Sequence, residues 1–401
     1  MGDERHCEVV VVGGGPAGSA SAALLADAGH DVVLVDRARF PRRKPCAEYV
    51  SPGAVAILER LGAFAFLDAN VGRRLRGMEI RTPSALPHLV QYREDGRPAR
   101  SLSISRYHLD AALLRAARAR GVRVLEGFRV AAVLTSEGAV SGVVGGGARE
   151  NVTMHARLVV GADGAHSVVA RSFNLRRTRR WPRRLGLVAH VAGVPWTEEH
   201  GEMHVGPRGY VGVAPVGNDV VSVGLVRSLP SAPLGPAGPA LDAALADYPE
   251  LAARLGSGRR VGSVQGVGPL SYGVRAVAGA GFALVGDAAG TVDPFTGEGI
   301  FRALRGAEIL ADVAGRALAD ERDPIDLQPA YASARRAAFR SKERLTELIQ
   351  VLVHAPMLLG YVLERLRRRP EVAANLGRVL GDLEHADAVM TGRSMWGLLR
   401  P

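Results

Sequence analysis

A glycine-rich segment near the start of the chain constrains its fold more than any other part of the sequence. The segment is a G-x-G-x-x-G pattern with small residues inside it: Gly13, Gly15, Pro16, Ala17 and Gly18. An apolar run at residues 9–12 precedes it, an Ala- and Ser-rich stretch follows it, and the acidic Asp36 closes a second apolar run. A strand, a tight turn and a helix in this order bind a pyrophosphate at the helix N-terminus, and an acidic residue after the next strand binds a ribose. The sequence therefore predicts a Rossmann-like βαβ unit that binds a dinucleotide.

The charge of the chain is strongly basic and is carried almost entirely by arginine. The 401 residues have a formal net charge of +11, and Lys44 and Lys342 are the two lysines among 51 basic residues. The densest arginine cluster spans residues 176–184, and it is either a phosphate-binding segment or a solvated loop between domains. No helix-turn-helix, zinc-finger or RNP pattern accompanies it in the sequence, so no nucleic-acid partner is predicted.

Cysteine and histidine usage indicates neither a disulfide framework nor a metal centre. Cys7 and Cys46 are too far apart for a C-x-x-C pair, which indicates a reducing compartment. The first residues lack the features of a signal peptide, so a cytoplasmic protein is expected, with a peripheral position on a membrane as the alternative. Several residues of metal-ligand type are interpreted as a solvated loop, and no metal is predicted from Glu198, Glu199, His200, Glu202 and His204.

Beyond residue 77 the pattern alternates between strand-rich and helix-rich segments. Residues 130–144 and 152–160 are predicted to pair as a hairpin around the glycines at 145–147, and one helix is expected near residues 240–255. Residues 348–363 are the most apolar part of a helical C-terminal region, but they are too few and too polar for a transmembrane helix. They are expected either to pack on the core or to form a surface that docks on lipid.

Three further segments follow the glycine pattern along the chain: residues 161–171 (GADGAHSVVAR), 284–289 (LVGDAA) and 293–300 (DPFTGEGI). With the glycine pattern they resemble the flavoprotein group that includes p-hydroxybenzoate hydroxylase-type monooxygenases, geranylgeranyl reductases and flavin-dependent halogenases. The resemblance implies FAD as the cofactor. NAD(P)H is expected only as a transient reductant, because the sequence contains no second G-x-G-x-x-G pattern.

The resemblance implies a mixed α/β (α+β) fold. It consists of a Rossmann-like FAD-binding domain of the glutathione reductase type, an inserted antiparallel-sheet substrate domain and a C-terminal helical extension. Both domains are expected to be discontinuous in sequence. The predicted FAD-binding domain comprises residues 1–77, 104–182 and 273–328, the substrate domain residues 78–103 and 183–272, and the helical region residues 329–401.

The resemblance also implies a set of cofactor-binding residues, assigned position by position. Arg106 is expected to contact FAD from the start of a helix, and Asp287 is expected at the ribityl chain. The helix that begins near Gly299 is expected to direct its N-terminus toward the flavin. Beyond the glycine segment and Asp36, the set is Arg37, Lys44, Pro45, Cys46, Ala47, Arg106, Val130, Asp163, Gly164, Gly286, Asp287, Pro294, Gly297, Glu298, Gly299 and Ile300.

Two segments bear on the subgroup. Residues 44–53 (KPCAEYVSPG) resemble the Pro-Cys-Gly segment of geranylgeranyl reductases, with Ala47 in the place of its glycine. Residues 209–215 (GYVGVAP) lack the Trp and Phe of that family's Tyr-x-Trp-x-Phe-Pro substrate segment. Halogenation is not expected, because the sequence has no Trp-x-Trp-x-Ile-Pro motif and no lysine between Lys44 and Lys342.

The lead hypothesis is NAD(P)H-dependent hydroxylation of a hydrophobic aromatic or polyketide-like molecule through a flavin C4a-hydroperoxide. One alternative is a geranylgeranyl reductase-like reduction of carbon-carbon double bonds in an isoprenoid or lipid, and another is a flavin-binding accessory protein without turnover. The candidate catalytic residues are Cys46, His190 and Tyr210, a thiol near the flavin and two proton acceptors on strands above it. Peripheral membrane contact through the C-terminal helices is expected, and the sequence does not indicate an oligomeric state.

Overall fold

The computed structural model describes residues 3–147, 151–179, 181–229, 235–320 and 325–390. Within these ranges the strands are, in chain order, β1 (Asp3–Val12), β2 (Val32–Asp36), β3 (Tyr49–Val50), β4 (Arg73–Leu75), β5 (Gly77–Thr82), β6 (Ala85–Gln91), β7 (Arg93–Glu94), β8 (Arg97–Pro98), β9 (Ser101–Ser103), β10 (Arg123–Glu126), β11 (Arg129–Ser136), β12 (Ala139–Gly146), β13 (Asn151–Gly161), β14 (Arg176–Thr178), β15 (Arg184–Ala192), β16 (Gly201–Gly206), β17 (Gly209–Gly217), β18 (Val220–Ser228), β19 (Arg259–Arg260), β20 (Gln265–Val267), β21 (Tyr272–Val274), β22 (Ala278–Gly279) and β23 (Phe282–Leu284). The helices are α1 (Pro16–Asp27), α2 (Pro52–Arg60), α3 (Arg106–Arg118), α4 (Val168–Ser172), α5 (Ala237–Leu245), α6 (Pro249–Gly256), α7 (Gly299–Ala319), α8 (Gln328–His354), α9 (Pro356–Arg367) and α10 (Pro370–Leu380).

The first sheet combines a parallel and an antiparallel part. Its order is β10-β2-β1-β13-β12-β11, and β23 pairs with the end of β13. Strands β10, β2, β1, β13 and β23 are parallel, whereas β11, β12 and β13 form an antiparallel meander. The prediction of one strand across residues 130–144 is wrong, because Glu137 and Gly138 have φ angles of +52° and +84° and turn the chain between β11 and β12.

Strand β1 is buried on both faces, as a central parallel strand requires. Val9 and Val11 lie in a core that includes residues of α1, α3 and α7, and Val10 and Val12 lie in a core that includes residues of β12, β13 and α4. Successive side chains of a strand point to opposite faces, so the apolar run packs against both layers. The carboxyl ends of β1, β13 and β23 consequently lie side by side.

The second sheet has the order β19-β15-β18-β17-β16-β5-β6, and β20 also pairs with β15. Its pairings are antiparallel except for β16 with β5. Helices α5 and α6 cover one face through an apolar core that includes Leu241 and Leu251. The prediction of a single helix near residues 240–255 is wrong: the first helix ends at Leu245 and Pro249 starts another, since proline suits the first turn of a helix and not its interior.

The C-terminal helices complete the molecule. Helix α8 ends at His354, two residues before Pro356, and α9 then packs Leu359, Leu363 and Leu366 against strands β5 and β6. In the described part of the chain no single helix is long and apolar enough to cross a membrane. Helices α8 and α9 meet the length and composition criteria only as a pair, which is bent by 116° at the break between them.

Candidate functional site

The turn between β1 and α1 brings backbone segments into close contact. Gly13 has a φ of +107°, and a Cβ added there would lie 2.6 Å from the carbonyl oxygen of Ala162. A Cβ added to Gly18 would lie 1.8 Å from the carbonyl oxygen of Gly13. Helix α1, which lies wholly within the described residues, begins after Gly15 without a side-chain cap. Its first N–H groups are therefore available to an anion.

Asp36 ties this turn to the end of β2. The carboxylate accepts hydrogen bonds from the Gly14 N–H (2.7 Å) and from the N–H of the residue two positions after it (2.7 Å). The Phe128 N–H donates to the Asp36 carbonyl oxygen at 2.9 Å, which places β11 and the buried Val130 at this end of the site. Arg37 is exposed. Because each carboxylate oxygen has two lone pairs, Asp36 can orient the turn and still accept from a ribose hydroxyl.

Two arginines converge on Gly15. A Cβ added to Gly15 would lie 3.6 Å from Nη2 of Arg106 and 3.7 Å from Nη2 of Arg42. The fully buried Asp110 accepts two hydrogen bonds from Arg106, at 2.6 and 2.8 Å, and forms an ion pair with Arg42 at 3.0 Å. Asp110 thus fixes both guanidinium groups beside the start of α1, where charge-assisted hydrogen bonds to phosphate are strong.

Lys44 adds a third cation where β13 and β23 end. Its Nζ lies 3.1 Å from the position of a Cβ on Gly164. Burial lowers the pKa of Lys44, the charge of Arg106 lowers it further, and Asp287 acts in the opposite direction. An anion bound here would therefore stabilise the charged lysine. The uncapped helix, the two guanidinium groups and this ammonium group fit the pyrophosphate of a dinucleotide.

The remaining predicted cofactor segments lie at the same edge of the first sheet. Asp163 accepts a hydrogen bond from the Val168 N–H at 2.6 Å, at the start of α4. Gly286 has a φ of +61°, and a Cβ there would lie 2.7 Å from the Cβ of Ala17. A cleft beside the start of α7 is lined by residues from both predicted segments, among them Gly286, Asp287, Pro294, Glu298 and Gly299. The structure thus brings together the positions that a long cofactor would span.

The loop after Lys44 connects this edge to the second sheet through Glu48. Glu48 is buried, and its φ of +62° is a conformation that residues other than glycine rarely adopt. One carboxylate oxygen accepts from the Arg106 N–H at 2.9 Å, and the other lies 2.7 Å from Nε2 of His190 on β15. Burial raises the pKa of the Cys46 thiol, which accepts a hydrogen bond from the Glu48 N–H. Glu48 is not among the predicted site residues; only its unusual backbone and long-range contacts distinguish it.

A second network holds the loop that precedes α7. The buried Asp293 accepts hydrogen bonds from the Tyr210 hydroxyl at 2.6 Å and from Nε2 of Gln350 at 2.9 Å, and its other oxygen pairs with the buried Arg184 at 3.3 Å. Burial, followed by the charge of Asp293, raises the pKa of Tyr210 well above its ordinary value. Arg184 also contacts a ring nitrogen of His354 at 3.0 Å. The network joins the loop to the second sheet through Tyr210 and Arg184, and to α8 through Gln350 and His354.

Glu298 lies at the N-cap of α7, and its carboxyl group points to α8. It is 1% exposed, accepts a hydrogen bond from the Thr346 hydroxyl at 3.4 Å and lies 3.9 Å from Nζ of Lys342. Lys342 makes its closer ion pair with Asp382 at 2.8 Å. Burial raises the pKa of Glu298 to about 7, although Lys342 opposes this effect. The carboxyl group is consequently held near the midpoint of its titration at neutral pH.

This pKa predicts a stability difference between wild type and Glu298→Gln that grows with pH. The carboxyl group titrates near its ordinary value of 4.5 in the unfolded chain and near 7 in the folded protein, so the wild type loses stability as pH rises through this interval. The amide cannot ionise and avoids that loss. In urea denaturation we expect similar stabilities at the acid end of the interval and a more stable variant above it. A stability difference between the two proteins that stays constant with pH would contradict a raised pKa of the buried Glu298 carboxyl group.

A cavity lies between this loop and the second sheet. It contains about 670 Å³ of space, including its solvent-facing mouth, and its wall is mostly apolar: Ala47, Tyr49, Met78, Ile80, Val90, Tyr92, Met203, Gly212, Val213, Ala214, Pro294, Phe295, Thr296, Gly297 and Leu380. Gly212 and Gly224 pair in register on neighbouring strands, and Ala47 lies against Gly224. At these two glycines the sheet therefore carries no side chains next to the loop that contains Ala47.

The predicted site residues fall into three groups. The cofactor residues converge at the edge of the first sheet, and Ala47, Pro294 and Gly297 also line the cavity, whereas Ile300 is in the core and Pro45 is half-buried in the connecting loop. Within the described ranges the cavity wall does not include Cys46, His190 or Tyr210. Their catalytic roles stay predictions. In the arginine cluster, Arg180 lies outside the described residues, and Arg176 packs over the ring of Tyr272 at 4.5 Å.

The interpretation of the metal-ligand-type residues as a solvated loop is wrong for His200 and Glu202, which are buried, and Glu202 and His204 lie on strand β16. These residues belong to an ionic network. Glu79, His200 and Glu202 place ligand atoms within 4.8 Å of one another. Arg254 and His204 both bind the carboxylate of Glu202, at 2.9 and 2.7 Å. The guanidinium group thus supplies the positive charge that this carboxylate faces.

The chain belongs to the FAD binding domain family, FAD_binding_3, which it matches over residues 6–345. The residues at the edge of the first sheet are those expected to hold the adenosine, pyrophosphate and ribityl parts of FAD. The predicted flavoprotein group and fold class are confirmed, and the protein is an FAD-dependent oxidoreductase by family.

Several characterised proteins are similar to it. A menaquinone reductase of Mycolicibacterium smegmatis is 35% identical over 329 residues, covering 77% of this chain and 76% of the relative. A digeranylgeranylglycerophospholipid reductase of Methanothrix thermoacetophila is 30% identical over 81% of this chain and 82% of its own length. A 6-methylpretetramide 4-monooxygenase of Streptomyces rimosus is 36% identical over 42% of this chain and 40% of its own length. The structure of a geranylgeranyl bacteriochlorophyll reductase-like protein from Thermoplasma acidophilum covers 99% of this chain and 100% of its own, with a TM-score of 0.79 and 22% identity.

Proposed function

We propose that the protein is an FAD-dependent reductase of carbon-carbon double bonds in the polyprenyl chain of a lipid. The menaquinone reductase and the digeranylgeranylglycerophospholipid reductase match this chain over most of their length. Their named substrates, a menaquinone and a digeranylgeranyl glycerophospholipid, differ in their head groups. Both carry polyprenyl chains, and these chains are the chemical feature that they share. A site that binds the chain suits both substrates.

The cavity is the observation that carries this proposal. Apolar side chains supply most of its wall, among them Met78, Ile80, Val90, Met203, Phe295 and Leu380. The hydroxyl of Tyr49 donates a hydrogen bond to the hydroxyl of Tyr92 at 2.8 Å, so each of the two cavity tyrosines has a hydrogen-bond partner within the protein. A methyl-branched hydrocarbon chain gains burial there without leaving these hydroxyls unsatisfied.

The protein positions substrate and cofactor in adjoining spaces. FAD, when bound, supplies two-electron transfer between NAD(P)H and the substrate. The paired Gly212 and Gly224 leave the sheet open beside Ala47, while Phe295 on the loop before α7 closes the cavity from another side. Saturation of a double bond also consumes a proton. The candidate that holds this proton is His190, which lies on β15 of the second sheet and is hydrogen-bonded to Glu48.

Hydroxylation is the second candidate reaction. It is favoured by the similarity to the 6-methylpretetramide monooxygenase and by the absence of Trp and Phe from residues 209–215. The same apolar cavity suits an aromatic polyketide. The two reactions differ in what they add to the substrate: two hydrogen atoms or one oxygen atom.

The test is product analysis with FAD-loaded protein, NADPH and either a menaquinone or a digeranylgeranyl lipid in detergent. A product that gains two hydrogen atoms without oxygen supports the reductase. Oxygen-dependent addition of an oxygen atom to an aromatic substrate would contradict the reductase and support the hydroxylase. Failure to oxidise NADPH or NADH with any substrate would indicate an accessory protein without turnover.

A cavity variant tests where turnover occurs. Gly212→Val places a β-branched side chain in the cavity, where a Cβ would lie 3.4 Å from the flexible end of Met203 and 4.0 Å from the carbonyl oxygen of Gly224. We expect turnover to fall at least about tenfold, because a displacement of the reacting atoms by about 1 Å lowers the rate by at least this factor. The flavin absorbance of the protein should not change. Gly266→Val on β20, which contacts only Leu187, is the control. Equal turnover in the two variants would contradict substrate binding in this cavity.

A further inference from the structure

The corner between α8 and α9 concentrates exposed apolar side chains. Eight large apolar side chains are exposed in the described part of the chain, and six of them lie around this corner: Leu86, Trp181, Val351, Met357, Leu358 and Tyr361. The rings of Trp181 and His354 lie 4.9 Å apart, tilted by 41°, near the end of α8, and Arg367 of α9 donates to the Leu86 carbonyl oxygen at 2.8 Å. A patch of this kind on a folded protein marks an interaction surface. We call these six residues the apolar corner.

An arginine stripe leads along α8 to the apolar corner. Arg336, Arg340 and Arg344 are exposed at intervals of four residues, and within the described ranges none of them lies within ion-pair distance of a carboxylate. Residues 335–369 contain nine Lys and Arg, of which Arg335 and Lys342 are buried, against three Glu. This part of the surface is therefore strongly cationic beside its apolar side chains.

The apolar corner lies one layer away from the cavity. The buried face of α9 packs on β5 and β6, and these strands supply Met78, Ile80 and Val90 to the cavity wall. Met357 at 82% exposure, together with Leu358 and Tyr361, is on the outer side of the same helix. Because Leu359 and Leu363 are buried in the protein core, α9 can lie on a membrane surface but cannot enter its centre without unpacking.

We propose that the apolar corner and the arginine stripe together dock the protein on an anionic lipid bilayer. The apolar side chains insert at the boundary between the lipid headgroups and the acyl chains, and the arginines contact the phosphates of the headgroups. A second copy of this chain is a poor occupant, since the chain is itself basic, with a formal net charge of +11, and offers the arginine stripe no net anionic partner. The inference rests on the proposed function to the extent that a polyprenyl lipid substrate resides in the bilayer that the surface would contact.

Vesicle flotation of the FAD-loaded full-length chain tests the proposal without requiring turnover. We expect binding to vesicles that contain phosphatidylglycerol, at least about tenfold weaker binding to pure phosphatidylcholine, and release by salt, because each arginine near an anionic surface contributes about 1 kcal/mol. Equal binding to both vesicle types, or binding to neither, would overturn the proposal. A third outcome would also overturn the proposal: the wild type does not bind vesicles but self-associates, and Met357→Asp with Leu358→Asp abolishes this self-association. That result would identify the apolar corner as a dimer interface.

Two sets of variants separate the apolar and the cationic contributions. Met357→Asp with Leu358→Asp is expected to abolish binding, whereas Tyr107→Asp with Leu229→Asp, at exposed apolar positions elsewhere, should not. Replacement of Arg336, Arg340 and Arg344 by Gln is expected to remove the preference for anionic vesicles, in contrast to the same change at the exposed Arg73, Arg115 and Arg129. Loss of binding in the control sets as well would contradict a localised surface.

The outcomes for docking and for the reaction are distinguishable. Turnover of a detergent-dispersed lipid without vesicle binding would overturn docking and leave the reaction intact. Vesicle binding without turnover of any lipid would count against the reaction and leave docking supported.

Discussion

Gly18→Ala is expected to yield protein without FAD. The added methyl carbon would lie 1.8 Å from the carbonyl oxygen of Gly13, which is backbone and cannot rotate away. Helix α1 must then move off β1, and its first N–H groups move away from Arg106 and Arg42. We expect the flavin absorbance per protein to fall to near zero and the free energy of unfolding to decrease by at least about 2 kcal/mol, as overpacked cores do. Absorbance spectra and urea denaturation measure the two effects.

Gly256→Ala is the matched control for this substitution. Gly256 ends α6, and a Cβ there would have no neighbour within 4 Å in the described structure. Because alanine favours helix over glycine by up to about 1 kcal/mol, this variant should retain FAD with equal or slightly higher stability. If Gly18→Ala also retained FAD, the close approach of α1 to β1 would not be what the cofactor requires.

Asp293→Ala is expected to be the most destabilising change in the cavity region. It leaves the 2%-exposed Arg184 without its carboxylate and the Tyr210 hydroxyl without its acceptor. Removal of one partner of a buried ion pair costs about 3–5 kcal/mol, because the other charge stays buried and uncompensated. Chemical denaturation at neutral pH measures this loss.

A double variant and a surface control separate this explanation from a general sensitivity to mutation. Asp293→Ala combined with Arg184→Met should recover part of the lost stability, since the unpaired charge is removed as well. Glu364→Ala breaks exposed ion pairs with Arg367 and Arg368 and should cost less than about 1 kcal/mol. A double variant less stable than Asp293→Ala alone would show that Arg184 contributes mainly by packing over the Tyr210 ring.

The cofactor half of the protein could be predicted from the sequence because its determinants are local. The turn from Gly13 to Gly18 joins one strand to one helix, and its glycines are required by backbone contacts within that unit or at its edge. Likewise, the segments that contain Asp163 and Asp287 follow the apolar ends of β13 and β23. Parallel strands place their carboxyl ends at one edge of a sheet, so recognition of each segment also implied that the segments meet.

Local pattern was less informative where turns and breaks decide the structure. The glycines at 145–147 indicated a turn, but the chain also turns at Glu137 and Gly138, where both residues have positive φ. The stretch near residues 240–255 has a helical pattern throughout, yet Pro249 begins a new helix there. A single residue changes the backbone path in both cases, and the apolar periodicity around it does not change.

The sequence by itself therefore determined a Rossmann-like FAD-binding fold, the segments that meet at the predicted cofactor edge and the presence of a second, antiparallel sheet. Only the tertiary structure decided the substrate side of the molecule. The cavity wall combines Ala47, Ile80, Met203, Phe295 and Leu380, and the nearby hydrogen bond between Glu48 and His190 joins residues 142 positions apart. No local periodicity encodes such contacts, because they arise only when two sheets and the C-terminal helices pack together and bury groups that must then find partners.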